Sequence, residues 1–297
     1  MPHHASVIER PVRKAPPDAQ LDQAAANSIF QLPGNDGIYA PSQRDYLQAL
    51  GRRRPSVFLV FPPKAAGTFL REAVITATGG ELVRVVHAQG GRDAQLYYPT
   101  LLAYFLGGVC HGPLTTHVHM QALPANVAMM QALGLKPIVM IRNIPDMLAS
   151  YWDMLDREPS ALDAGLNCVF PSDWSAMPSD DKADFLVDML GPWYAGYYAT
   201  WLAQARKDGD VCVLRYGELL DDAAGCLETI LRHSGFPTSR PYCELLMLDL
   251  WDERGNFRFN QGREGRGKDY FQDHHRDRLA RMLSLYRVAP PDIAELV

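Results

Sequence analysis

From residue 56 onward, short apolar runs alternate with segments whose apolar positions recur at helical spacing. SVFLVF at 56–61 is a run of β-formers, whereas after Thr68 the residues Phe69, Ala73, Val74 and Ala77 follow a helical period until Gly79 and Gly80. That pattern predicts a strand, a loop and a helix. ELVRVVH at 81–87 reads as a second strand, Tyr97 to Phe105 as a helix, and LTTHVHM at 114–120 as a strand end. Period-two geometry puts Thr115, His117 and His119 on one face of it. Pro124 opens a helix that Gly134 closes. PIVMI, from Pro137, is a buried-strand run. The helix after it carries Pro145 and Asp146 in its first turn and Met147, Leu148, Tyr151 and Leu155 on its apolar face. Ser160 to Pro178 reads as a loop or lid. Ser179 is the expected cap of the next helix, and Gly191 with Pro192 is expected to divide it from another running to Arg206. VCVLRY at 211–216 is a further strand, a helix starts at Asp221 or Asp222 and ends near Gly235, and a final helix covers His274 to Tyr286.

Alternating strands and helices imply a mainly parallel α/β sheet, because parallel strands need crossover connections. No linker or shift in composition divides the chain after residue 50, so residues 51–297 read as one domain and 1–50 as an extended or loosely packed arm. Composition narrows the function classes. The net charge of −5 argues against a general polyanion binder, so no nucleic-acid partner is expected. The five cysteines form no CxxC pair, which disfavours a zinc site or a disulfide framework. No apolar run reaches membrane-spanning length and no signal-like N-terminus is present, so the expected location is the cytoplasm, without a membrane partner. A homodimer is left open.

Three segments carry candidate chemistry. PPKAAGTFL, Pro62 to Leu70, joins a strand to a helix N-terminus, where unpaired N–H groups and the helix dipole favour a phosphate or sulfate, and Lys64 adds a point charge. Arg142 ends the PIVMI strand and Ser150 lies on the second turn of the following helix, so both can face one ligand above the sheet. FNQGREGRGKDYF, Phe259 to Phe271, is crowded with glycine and basic residues and reads as a loop over an anion.

These segments resemble the sulfotransferases that use 3′-phosphoadenosine-5′-phosphosulfate. PPKAAGTFL is similar to their PKSGTTWL loop, and RNIPDMLASY to their RNPKDVLVSY segment. RYGEL, Arg215 to Leu219, is similar to YEDL, and REGRGKDY, Arg263 to Tyr270, to RKGxxGDW, all in family order. The resemblance implies a P-loop NTPase-like sulfotransferase fold and that phosphosulfate as co-substrate, with no metal. By position it implies that Lys64, the backbone of Ala65, Ala66, Gly67 and Thr68, and the Thr68 hydroxyl hold the 5′-phosphosulfate. Arg142 and Ser150 fall at the 3′-phosphate, with Arg263, Glu264 and Gly265 closing over it, and Phe69 and Tyr216 fall near the adenine. A second register, pairing Gly262 with Gly265, moves the late arginine.

Lys64 is the implied cation for charge developing on the bridging oxygen. The acceptor hydroxyl needs a base, and imidazole, with an ordinary pKa near ~6.5, suits neutral pH. Matching the family's KTHLP spacing makes His119 the base and puts His117 at the Lys position; an alternative register makes His117 the base. Ala65, Ala66 and Gly67 replace a hydroxyl, a glycine and a hydroxyl, so side-chain donors in the first loop are fewer and its glycine is displaced by one position. Apolar residues around His117 to Met120 and Tyr97 to Phe105 favour a small, partly apolar alcohol or phenol as acceptor. Two rival readings are a phosphate-loop kinase, although GxxxxGK followed by Ser or Thr is missing, and a non-catalytic nucleotide-binding protein.

Overall fold

A computed structural model describes residues 41–86, 95–107, 112–158, 168–252 and 262–297. Its centre is a parallel sheet of five strands: β1 (Ser56–Leu59), β2 (Glu81–Leu82), β3 (Leu114–His117), β4 (Pro137–Ile141) and β5 (Cys212–Arg215). Their order is β2-β3-β1-β4-β5. A strand lies in each predicted run, but that of 81–87 is confined to Glu81–Leu82, with residue 87 outside the described residues. Leu59 of β1 pairs with His117 of β3 and with Ile138 of β4, and Ile141 of β4 pairs with Arg215 of β5. The carboxyl ends of β3, β1, β4 and β5 therefore lie along one edge, where His117, the first loop, Arg142 and Tyr216 begin. In an open parallel sheet that edge, near the point where strand order reverses, is where ligands bind.

Helices cover the sheet: α1 (Pro41–Arg53), α2 (Gly67–Thr78), α3 (Tyr98–Phe105), α4 (Pro124–Leu133), α5 (Ile144–Arg157), α6 (Ser179–Lys207), α7 (Tyr216–Asp221), α8 (Ala223–His233), α9 (Arg240–Asp252), α10 (Asp273–Leu285) and α11 (Pro290–Leu296). Several differ from expectation. α1 corrects the arm: Pro41 to Leu50 lie in a helix that buries Leu47 and Leu50 and packs on α4, while residues 1–40 lie outside the described residues. The break expected at Gly191 and Pro192 does not occur, and α6 runs through both. Gly191 serves packing instead, since a Cβ there would meet Leu279 Cδ2 of α10 at 2.9 Å. Ser179 is the first residue of α6, and Pro178 precedes it without a side-chain cap. α7, α9 and α11 were not anticipated. Of the 160–178 loop, residues 160–167 are outside the described set, but Phe170 and Trp174 are buried, and the Trp174 Nε1–H donates to Asp156 at 2.9 Å.

No disulfide joins the described cysteines, Cys168, Cys212, Cys226 and Cys243; Cys110 lies outside the described residues. Among the described residues no helix is long and apolar enough to cross a membrane.

Candidate functional site

The first loop leaves β1 in an unusual conformation. Lys64 and Ala66 have φ of 66° and 58°, the left-handed region that favours glycine. Ala66 is the N-cap of α2 and offers no side chain to its free N–H groups. Those donors and the helix dipole are thus open to a ligand. The loop is secured from behind by α6, where Tyr194, Tyr197, Tyr198 and Trp201 fall at helical spacing. The Tyr194 hydroxyl donates to the Pro63 carbonyl at 2.9 Å, and the Tyr197 hydroxyl to that of Val60. Tyr198 accepts from the Arg142 N–H at 3.0 Å and donates to the Arg142 carbonyl at 2.8 Å. The Trp201 Nε1–H donates to the Met120 carbonyl at 2.8 Å. One helix thus fixes the ends of β1, β3 and β4. Burial pushes Tyr197, with Tyr198 beside it, and Tyr198 itself well above the ordinary phenol value, so both remain protonated donors. Sequence analysis gave these four residues no role. Their polar tips on a 194, 197, 198, 201 stripe were the available signal.

Arg142 is buried and its guanidinium lies 3.8 Å above the centre of the Tyr216 ring. Its Nη1 donates to the Lys64 carbonyl, tying the end of β4 to the first loop. Its buried Nε has no hydrogen-bond partner among the described residues. A buried guanidinium with an open donor invites an anion. Ser150 is buried on α5. The Lys64 ammonium lies 2.9 Å from Met154 Sδ and 5.2 Å from the Tyr151 ring centre, so α5 holds it against an apolar and aromatic surface.

The late loop is anchored on α5. Asp146, fully buried in the first turn, accepts from Gly265 N–H at 2.8 Å and from Gly267 N–H at 2.7 Å. A Cβ at Gly267 would lie 2.3 Å from Pro145 Cβ, so only glycine allows this approach. Arg266, also buried, and the Tyr270 hydroxyl both bond to Asp153. Arg263, assigned above to the 3′-phosphate, is exposed and paired with Asp269 at 2.9 Å. Glu264 lies beside Gly217, next to Tyr216; burial, with Asp146 nearby, raises its carboxyl above the usual range. Phe69 is wholly buried in the core, and Tyr216 underlies Arg142. Phe259 to Gln261 lie outside the described residues. Sequence analysis assigned Asp146 only to the helix dipole. Its role as a loop anchor depends on a contact 119 residues away.

The two histidines meet at the β3 end, their ring centroids 4.8 Å apart. His119 Nδ1 is 2.7 Å from the Phe61 carbonyl. A carbonyl only accepts, so Nδ1 carries a proton, and in the neutral ring Nε2 is the nitrogen with the lone pair. His117 abuts Gly67 at the start of α2, and burial, reinforced by the charges of His119 and Arg71, holds its pKa well below the ordinary imidazole value. Among the described residues one other group combines metal-ligand types, Asp184, His274 and His275, but Arg278 already pairs with Asp184.

A parallel sheet with an anion-ready loop at its carboxyl edge defines a class of nucleotide-binding α/β proteins. Within it, a family model described as the sulfotransferase domain matches residues 111–263, more than half of the chain, and the chain belongs to that family. The mouse sulfotransferase SULT7A1 complexed with PAP has a similar structure, with a TM-score of 0.58 at 13% identity over 86% of this chain and 93% of that one. Retinol dehydratase in complex with androsterone and the inactive cofactor PAP gives 0.50 at 13% identity, over 94% of this chain and 98% of that one. At such identity these likenesses concern the fold. No curated protein matches the chain by sequence.

Proposed function

We propose that this protein moves a sulfuryl group from 3′-phosphoadenosine-5′-phosphosulfate to a hydroxyl of a small, partly apolar acceptor, an alcohol or phenol, in the cytoplasm, with residues 51–297, together with the whole of α1, as the catalytic domain. The observation that carries this reading is Arg142, a buried guanidinium tied to the first loop and left with an open donor. It receives the 3′-phosphate, with Ser150 beside it, and Tyr216 holds its plane. The co-substrate supplies the sulfuryl group and leaves as adenosine 3′,5′-bisphosphate. The free N–H groups of Gly67 and Thr68 hold the 5′ end, and Lys64 swings from Met154 to the bridging oxygen, where the electron pair of the breaking O–S bond collects. His119 takes the acceptor proton on Nε2 as the new O–S bond forms, its tautomer set by the Phe61 carbonyl. The androsterone complex of retinol dehydratase is in keeping with a small, largely apolar acceptor.

Calorimetry with adenosine 3′,5′-bisphosphate and adenosine 5′-monophosphate tests the reading. The bisphosphate is expected to bind at least tenfold tighter, and equal affinities would remove the 3′-phosphate site. Turnover of a phenol panel with the phosphosulfate then separates an enzyme from a nucleotide binder.

A further inference from the structure

The glycine of the first loop stands at residue 67, yet the left-handed residues are Lys64 and Ala66. Gly67 is therefore not required by its own backbone. What requires it is an imidazole from another strand: a Cβ at residue 67 would lie 2.1 Å from His117 Nε2 and 2.5 Å from its Cε1. His117 occupies the space of the missing side chain. Its Nε2 is buried and has no hydrogen-bond partner among the described residues, at the first residue of the 12-residue helix α2. An unmade bond to a buried polar nitrogen costs about 1–3 kcal/mol, so the nitrogen is poised for a partner that the chain itself does not supply. The groups around the ring are Phe61 at 6.1 Å between centroids, His119 at 4.8 Å, and Arg71 on α2. These surroundings favour an uncharged ring, which can still donate one hydrogen bond.

We propose that His117 is the missing side-chain donor of the first loop: its Nε2–H bonds an oxygen of the sulfuryl group over the start of α2, where a hydroxyl at residue 67 would otherwise stand. The inference rests on the reading of the site as a phosphosulfate site. It divides the labour of the histidine pair, with His119 taking the acceptor proton and His117 holding the group being transferred. It also accounts for the displaced glycine, because residue 67 must be bare for the ring to enter.

The test compares affinities for the phosphosulfate and for adenosine 3′,5′-bisphosphate, without acceptor. In His117→Ala the phosphosulfate is expected to lose about tenfold while the bisphosphate is unchanged. His117→Gln, a neutral donor of similar reach, is expected to restore part of the loss, and it also serves if the alanine variant does not fold. Gly67→Thr is expected to bind the phosphosulfate poorly because the new side chain meets the ring. Adding His117→Ala to it is expected to recover binding. An unchanged phosphosulfate-to-bisphosphate ratio in both His117 variants overturns the proposal while leaving the proposed function standing, and so does strict additivity in the double variant. If the wild-type protein shows no preference for the bisphosphate over the monophosphate, the functional reading fails and the inference falls with it.

Discussion

The first loop and the late loop both close on the same edge of the sheet, and they are built in opposite ways. The late loop places glycine where the backbone is left-handed, at Gly262 and Gly265 with φ of 60° and 75°, and is tied down by the Asp146 carboxylate. In the first loop the left-handed positions are Lys64 and Ala66, and the single glycine, Gly67, makes room for His117. Its restraint comes from behind, through the Tyr194 hydroxyl. The late loop is thus relaxed and its N–H groups are held by a carboxylate, whereas the first is strained and held by its carbonyls, which accept from the Tyr194 hydroxyl and the Arg142 guanidinium. A non-glycine left-handed residue costs about 1–2 kcal/mol and persists only when its surroundings over-determine it.

Removing the charge anchor should separate the two loops most sharply. Asp146→Ala leaves the buried Gly267 N–H unpaired, a cost of roughly 1–3 kcal/mol, and frees the more exposed Gly265 N–H to water. Denaturant unfolding should show that loss, and adenosine 3′,5′-bisphosphate should bind much more weakly; unchanged affinity would mean that the anchor does not serve the site. Similar in size, Gly267→Ala should cost about 1–3 kcal/mol by forcing the loop off Pro145, and limited proteolysis should cut near residues 262–270 sooner.

Acid should find the first loop through His117. Its folded pKa lies below the unfolded value of about 6.5, so below that pH the unfolded chain binds a proton that the folded chain refuses. Stability is complete above that pH and falls as pH drops from it toward the folded value, with a slope of at most about 1.4 kcal/mol per pH unit for this group. His233 and His275 are also lowered, chiefly by burial, and add to the slope. His117→Gln should flatten the stability curve between pH 7 and 5 without abolishing the fall.

Tyr194→Phe removes one hydroxyl behind the first loop and should cost about 1 kcal/mol in chemical unfolding, with a poorer KM for the phosphosulfate. The smallest change should have the opposite sign. Ala66→Gly relieves the left-handed strain and should raise stability by up to about 1 kcal/mol, offset in part by the entropy of the unfolded chain. A destabilised Ala66→Gly variant would show that the first loop is not strained, and the contrast between the loops would collapse.

The strand runs at 56, 137 and 211 were legible because buried parallel strands are continuous apolar runs, and the run at 114 because its residues alternate; each appears at the expected place. Pro145 and Asp146 announced the start of α5 for the same local reason. Gly191 and Pro192 misled because a bare backbone needed for close packing against Leu279 has the same spelling as a helix break. The helix over Pro41–Arg53 was missed because its few apolar positions gain meaning only against α4.

What the sequence determined by itself was the order of elements and the arrival of Lys64, His117, His119 and Arg142 at one edge, because strand and helix periods act over a few residues. Tertiary structure alone decided what each of them touches. The Tyr194 hydroxyl reaches Pro63 across 131 residues, Asp146 reaches Gly267 across 121, and the His117 ring fills the space beside Gly67. Such contacts leave no periodic trace, since they depend on how the layers stack and on where one bare backbone lets a distant ring approach.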